Sequence, residues 1–501
     1  MAGVVLQPWN IDLSRIGPPT LPPLSALQRP PVAPTREPHP RWPYTNIVFE
    51  GGGAKGIAYM GAIEVLEQEG IYPKHVLRVA GASSGSFLAA MLAIGMSSQE
   101  LTQMLAETDL EAVMRDARFG MVSGLWNMVT IYGLNPGSRL LEFLGERLKE
   151  RTGSEDVTFA QVLERCGREL LVPVTNLTRM CTEYCHPKTT PDMPVRLAVG
   201  MSMSLPVLMV PYRVVRGGEQ TGGQADLYTD GGLLCNFPVH AFDGWWLSMD
   251  RQDTFLRKLR PLDRVTELTH DAVRFSPRNP ATLGFTVFDK AELGDASEWW
   301  MTADMRPPER PDTELARSRA QSEKRLEAHT RLREALDGAA QRLVDALAEL
   351  EEDGDGRVDR KEVQGLFEGG RLTPQDAQLL FETQDVDAIF SAMDHNGDGK
   401  VSYDEIVRTI DSRHVDLTAH LGLARSEPRS MSTFVSTVFN TLLMHLRRVS
   451  LVPDDRTRTV PIDTDYVSTT DFELDARDRE FLLETGRRST RAFFAGRREE
   501  T

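Results

Sequence analysis

Apolar positions fall in short unbroken runs that alternate with helical stretches. NIVF (Asn46 to Phe49) reads as a buried strand, and Ile57 to Gln68 as a helix stopped by Gly70. VLRVA (Val76 to Ala80) predicts the next strand, and Ser86 to Ile94 the next helix. Between each strand and its helix lies a small-residue turn, EGGGAKG first and GASSG second. Strand, glycine turn, helix, repeated, predicts an α/β fold with a mostly parallel sheet. Further strands are expected at LLVPV (Leu170 to Val174), VLMVPY (Val207 to Tyr212) and DLYTD (Asp226 to Asp230). After Arg310 the pattern changes: Leu315 to Glu352 is rich in Ala, Arg, Leu and Glu, which predicts a long helix. Mixed α/β character returns near Ser430. The first 43 residues have no apolar period and carry Pro-Pro pairs, which predicts a mobile, extended arm.

Composition narrows the classes. A chain of 501 residues, 41% hydrophobic and 26% charged, is long enough for a large core and more than one folded unit. A net charge of −16 with no sustained basic stripe argues against nucleic-acid binding. Cys166, Cys181, Cys185 and Cys235 are too few and too scattered for a disulfide framework or a zinc site, so they are expected to be reduced. The N-terminus lacks the pattern of a secretory signal. The longest small-and-apolar stretch, Val76 to Met96, contains Arg78 and a turn, and reads as strand plus helix rather than a membrane span. A cytoplasmic or peripheral-membrane protein is expected, with export by a signal-less route left open.

Three turns carry candidate chemistry. A nucleophilic serine needs a steep strand-to-helix turn that exposes Oγ and aims following amides at an oxyanion, and Gly81-Ala82-Ser83-Ser84-Gly85 has that form. Gly51 to Gly56 (GGGAKG) can present amides to a phosphate or an oxyanion, with Lys55 adding charge; it is neither a Walker loop nor a dinucleotide fingerprint. In LYTDGG, Asp230 ends a strand, where a carboxylate can orient or deprotonate a nucleophile.

Together GGGAKG, GASSG, SMSLPV (Ser202 to Val207), DGG and NFPV (Asn236 to Val239) resemble, in this order, the patatin-like phospholipase family. The resemblance implies a patatin-like three-layer α/β fold and a Ser-Asp dyad, with Ser83 as nucleophile and Asp230 as base. It also implies an oxyanion hole from Gly51, Gly52 and Gly53, flanked by Lys55 and Gly56. The chain departs from the pattern at Ser86, where many members have glycine, and at Cys235, where Asn is common. His240, His395, His414, His420 and His445 all follow Asp230, so a histidine triad stays open on sequence alone.

DHNGDGKVSYDE (394–405) places oxygen donors where a 12-residue calcium loop needs them: Asp394, Asn396, Asp398, the Lys400 carbonyl, Ser402 and Glu405, with Gly399 at the sharp turn. EEDGDGRVDRKE (351–362) offers Glu351, Asp353, Asp355, the Arg357 carbonyl, Asp359 and Glu362, and its leading Glu predicts weaker binding. The two resemble a paired EF-hand module of the calmodulin type. NPATLGFTVF (Asn279 to Phe288) resembles the patatin-like strand that follows the DGG region and RTVPIDTDYVSTTDFELDARDREFLLETG (Arg458 to Gly486) the end of a patatin domain, so the EF-hands read as inserted. The expected organisation is an arm (1–43), a hydrolase part (44–310), a helical EF-hand segment (311–427) and a second hydrolase part (428–501). The expected function is a calcium-responsive lipid acyl hydrolase acting on phospholipid or another acyl-lipid at a membrane surface, with Ca2+ as regulator and no organic cofactor. A neutral-lipid esterase, an acyltransferase and a silent calcium-dependent scaffold are the alternatives.

Overall fold

The structure, a computed structural model, describes residues 10–13, 17–114, 116, 131–215, 225–248, 267, 270–290, 292, 301–350, 357–368, 370–412, 437–438, 441–442, 445–446 and 453–499. The chain divides into two compact units, one of Met1–Thr313 with Pro428–Thr501 and one of Glu314–Glu427.

The first unit is built on a nine-stranded sheet. Its strands are β1 (Asn10–Asp12), β2 (Asn46–Phe49), β3 (Arg78–Gly81), β5 (Glu169–Asn176), β6 (Cys181–Cys185), β8 (Tyr212–Val215), β9 (Ala225–Thr229), β10 (Thr282–Phe288) and β13 (Thr459–Asp463). Two further strands, β4 (Gly133–Asn135) and β7 (Val207–Met209), form a separate parallel pair. The order across the sheet is β1-β8-β9-β5-β3-β2-β10-β13, with β6 also paired to β5. From β5 to β13 every neighbour along this path is parallel, whereas β6 and β9 run antiparallel to β5. The continuous apolar runs follow from burial on both faces: all of β2, β10 and β13 is buried.

Because β2 and β3 are parallel neighbours in register (Phe49 opposite Gly81), both glycine turns leave the sheet side by side at its C-terminal edge. That edge is where ligands bind in parallel α/β sheets. The first turn leads into helix α1 (Ala58–Gln68) and the second into α2 (Ser84–Ala93). The last part of the chain completes this unit. Thr459–Asp463 pairs with β10, and the helix Ala476–Glu499 crosses α1 so closely that a Cβ on Gly61 would lie 1.9 Å from the Leu483 carbonyl oxygen.

Two expectations need correction. VLMVPY is two strands rather than one: β7 pairs with β4, β8 enters the main sheet, and Pro211, with no N–H to give a ladder, stands between them. The Pro-rich arm, in its described part, lies against the first unit instead of standing free. β1 pairs with β8, and Arg165 and Gln161 donate to the carbonyls of Pro22 (2.6 Å) and Pro19 (2.7 Å). Extended proline-rich backbone makes no internal hydrogen bonds, so its carbonyls are available to such donors. Trp42 and Tyr44, both buried, close this segment against Phe493 and Phe494.

The second unit begins with the helix Glu314–Leu350, followed by Arg360–Glu368, Pro374–Phe381, Val386–Met393 and Tyr403–Ser412. Their apolar faces share one core that includes Leu343, Leu347, Val363, Leu366, Ile389 and Met393. A two-residue antiparallel pairing of β11 (Arg357–Val358) with β12 (Val401–Ser402) joins the two loop regions.

Candidate active site and calcium loops

Ser83 is the only residue between β3 and α2 with a backbone in the left-handed half of φ, at φ +49° and ψ −127°. Such a conformation costs on the order of 1–3 kcal/mol for a side-chain-bearing residue, and persists because its surroundings enforce it. The enforcement is visible. Its N–H donates to Ser202 Oγ (3.1 Å), whose own hydroxyl donates to the Pro173 carbonyl (2.7 Å), while Ser86 Oγ donates to the Ser83 carbonyl (2.6 Å). Gly81 and Gly85 are required by space: a Cβ on Gly81 would lie 2.1 Å from the Gly85 carbonyl oxygen, and one on Gly85 2.8 Å from two carbonyls of β2's end. Gly81→Ala is therefore expected to destabilise the first unit by about 3 kcal/mol or more, read as a lowered midpoint in denaturant.

Ser83 Oγ is 2.9 Å from Asp230 Oδ2 and donates to it. Asp230 follows β9 and is almost fully buried. Its other carboxylate oxygen accepts from Gly232 N–H (2.7 Å), its N–H donates to the Ser204 carbonyl (3.1 Å), and its carbonyl accepts from Thr175 Oγ1 (2.8 Å). Burial pushes the carboxyl up to about 7, against the opposing pull of the Gly232 and Ser83 hydrogen bonds. No histidine among the described residues bonds to either Ser83 or Asp230. Half-buried His240 instead meets the Tyr184 hydroxyl (2.9 Å) and stacks edge-on with Phe275. His395 lies in the second unit near Thr409, and His414 and His420 fall outside the described residues.

The GGGAKG turn lies beside this pair. A Cβ on Gly51 would lie 3.0 Å from Ser83 Cβ and 2.4 Å from Asn236 Oδ1. The turn's amides are not all aimed alike. Gly51 N–H is engaged by the Asn236 carbonyl (3.0 Å) and Gly52 N–H by Ser84 Oγ (3.1 Å), whereas Gly53 N–H has no partner among the described residues. Lys55 is not a free cation at the turn: it is buried and pairs with both oxygens of Glu292 at 2.7 Å. Gly56 leaves room for Ser84, whose Oγ would be 3.2 Å from an added Cβ. Sequence reading missed Asn236 as a clamp. Its Nδ2 donates to the Gly51 carbonyl (3.0 Å), so side chain and backbone together tie the Asp230 loop to the glycine turn. It also missed Thr175, Ser202 and Ser204, whose hydroxyls or carbonyls hold the backbones of Ser83 and Asp230. SMSLPV was the available signal for the last two.

Residues 47–243 match the model of the patatin-like phospholipase family. Over 252 residues the chain is 33% identical to the uncharacterized protein YqhO of Bacillus subtilis, covering 49% of this chain and 78% of that protein. The chain belongs to the patatin-like phospholipase family. An uncharacterized protein of Acanthamoeba polyphaga mimivirus is 31% identical over 198 residues, 40% of this chain and 61% of that protein. A probable lipid hydrolase of invertebrate iridescent virus 6 is 26% identical over 197 residues, 39% of this chain and 62% of that protein. Against these two viral relatives the patatin-like chain spans about three-fifths of their length. Residues 340–410 match the model of an EF-hand domain pair.

In this patatin-like protein the loop 394–405 is folded on its own donors. Asp394 accepts from the N–H groups of Gly397 (2.7 Å) and Gly399 (3.0 Å), and Asn396 Oδ1 accepts from Asp398 N–H (2.7 Å). Glu405 folds back to accept from Asn396 N–H (3.1 Å) and from the N–H and Oγ of Ser402. Those bonds, the Ser402 backbone first, hold its carboxyl down at about 2. Gly397 and Gly399 take φ of +73° and +82°, which glycine permits. The donor set is all oxygen and suits a hard cation such as Ca2+. Among the described residues no three His, Cys, Asp or Glu side chains converge as a metal cluster. Asp394, Asp398 and Glu405 are engaged with loop amides instead. Of the loop 351–362, Glu351, Asp353 and Asp355 lie outside the described residues; Asp359 and Glu362 bond to each other's N–H at 2.9 and 2.7 Å. Arg357 stands opposite Ser402 in the β11–β12 pairing. No helix among the described residues is long and apolar enough to cross a membrane.

Proposed function

We propose that the chain is a calcium-responsive lipid acyl hydrolase of the phospholipase A or lysophospholipase type that works through a Ser83-Asp230 dyad. The observation that carries this reading is the 2.9 Å hydrogen bond from a serine on a strained, left-handed elbow to a buried carboxylate. In the reaction, Ser83 Oγ bonds to the ester carbonyl carbon as its proton passes to Asp230. The tetrahedral oxyanion is met by the Gly53 N–H, and by Gly52 N–H once Ser84 Oγ releases it. Collapse breaks the ester C–O bond, and Asp230 returns the proton to the departing alcohol. Water, deprotonated by Asp230, then cleaves the acyl-enzyme to release a fatty acid and restore Ser83. Lys55, held by Glu292, positions the turn rather than contacting the oxyanion.

Asp394, Asn396, Asp398, the Lys400 carbonyl, Ser402 and Glu405 would hold Ca2+, which would supply regulation rather than take part in bond breaking. The EF-hand pair lies between two chain segments of one compact unit, which supports a coupling from both attachment points. The domain limits proposed are 44–310 with 428–501 for the hydrolase and 311–427 for the EF-hand segment.

The pH profile tests the base. Asp230 must be ionised to accept the Ser83 proton, and burial holds it protonated up to about 7. With a soluble short-chain ester, kcat/KM is expected to fall about tenfold per pH unit on the acid side of that value and to level off above it. A rate independent of pH across that range contradicts Asp230 as the base.

A further inference from the structure

We infer that the rim around Ser83 inserts into a phospholipid surface through the tip of the β5–β6 hairpin, supported by two neighbouring apolar side chains. This rests on the proposed lipid hydrolase reading, but on observations of its own. Ten large apolar side chains are exposed among the described residues, and four of them, Tyr132, Leu177, Met180 and Leu234, lie on segments tied to the Ser83-Asp230 pair. Met180 is the most exposed of all at 87%.

The connections are short. Pro173 on β5 accepts the Ser202 hydroxyl that holds Ser83, and Leu177 lies four residues further along the chain, about 13 Å at strand rise. β5 runs parallel to β3, so the hairpin projects from the same sheet edge as the Ser83 elbow. Asn176 pairs with Cys181, which leaves Leu177-Thr178-Arg179-Met180 as the turn. Leu234 belongs to the short helix Gly232–Cys235, which starts two residues after Asp230. Tyr132 precedes Gly133, which pairs with Val207, three residues beyond the Ser204 that accepts the Asp230 N–H.

Chemistry selects a lipid surface as the occupant. Apolar tips on three separate segments suit shallow insertion between headgroups, which gains with each buried methylene. They do not make the continuous patch of roughly 800 Å² per partner that a stable protein interface needs. Arg179, the cation at the tip, is neutralised by Asp226 at 2.8 Å, so insertion does not depend on anionic lipid.

The test is flotation of the full chain with phosphatidylcholine vesicles, all variants carrying Ser83→Ala so that turnover cannot alter the vesicles. Leu177→Ser with Met180→Ser is expected to lower the vesicle-bound ratio on the order of tenfold, and Met180→Trp to raise it. Val32→Ser, which removes an apolar side chain on the proline-rich segment whose 57% exposure lies between those of Leu177 and Met180, is expected to leave it unchanged. Thermal midpoints matching the parent confirm that the variants are folded. Absence of binding by the parent, equal binding by the double variant, or an equal loss in Val32→Ser overturns the inference. So does a concentration-dependent dimer that the double variant abolishes while flotation is unchanged, since the tip is then a contact between copies. None of these readouts uses turnover, so failure of the surface and failure of the hydrolase reading are separately visible.

Discussion

Replacing Ser83 with alanine is expected to reduce fatty-acid release from phospholipid vesicles by about four orders of magnitude or more, since removal of a covalent nucleophile leaves only binding and oxyanion contacts. Asp230→Asn is expected to lose about as much, because the two act as a unit and their effects do not add. The double variant therefore separates a dyad from two independent contributions: it should be no slower than either single variant. Loss that multiplies in the double variant contradicts the unit. Asp230→Asn carries a second signature. The folded carboxyl binds its proton more tightly than it would unfolded, so folding stability declines as pH rises from the ordinary aspartate value to about 7. Above that pH the native state holds a buried charge, and Asp230→Asn is expected to melt higher than the wild type there. A catalytic carboxylate that lowers stability is the trade expected of a functional site.

The second large effect concerns the loop 394–405. Glu405 is the residue that accepts from Asn396 and Ser402, and it occupies the twelfth position, where a calcium loop takes its bidentate carboxylate. Glu405→Gln is expected to weaken Ca2+ binding by about a hundredfold, measured by calorimetry on the full chain. In the same variant, ester hydrolysis should lose its difference between Ca2+ and chelator while keeping a Ser83-dependent rate. Unchanged affinity contradicts the loop as a calcium site. Unchanged calcium dependence of the rate contradicts its regulatory role and leaves the dyad intact.

Much of this was legible in the sequence because the constraints are local. A strand that runs into Gly-x-Ser-x-Gly must turn steeply, and the φ of +49° at Ser83 is the conformation that pattern predicts. The loop 394–405 is legible for the same reason, since twelve consecutive residues contain its donors and its glycine. The placement of β2, β3 and β5 follows from short apolar runs, which suit strands buried on both faces.

What escaped depends on partners remote in sequence. β1 is three residues long and is defined only by its pairing with β8, about two hundred positions away. Lys55 looked available to the oxyanion turn because Glu292, its partner, lies 237 residues further on. Asn236 looked like part of a motif, and only its bonds to Gly51 reveal a clamp. The histidine question was likewise closed to sequence: His240 is near Asp230 in the chain, yet its ring is taken by Tyr184.

The central claim is that Ser83 is a nucleophile activated by Asp230, and serine-directed fluorophosphonate labelling followed by peptide mass spectrometry tests it most directly. The account predicts a single adduct on Ser83 that is lost in Asp230→Asn. No adduct, or an adduct on another serine that persists in Ser83→Ala, would contradict it.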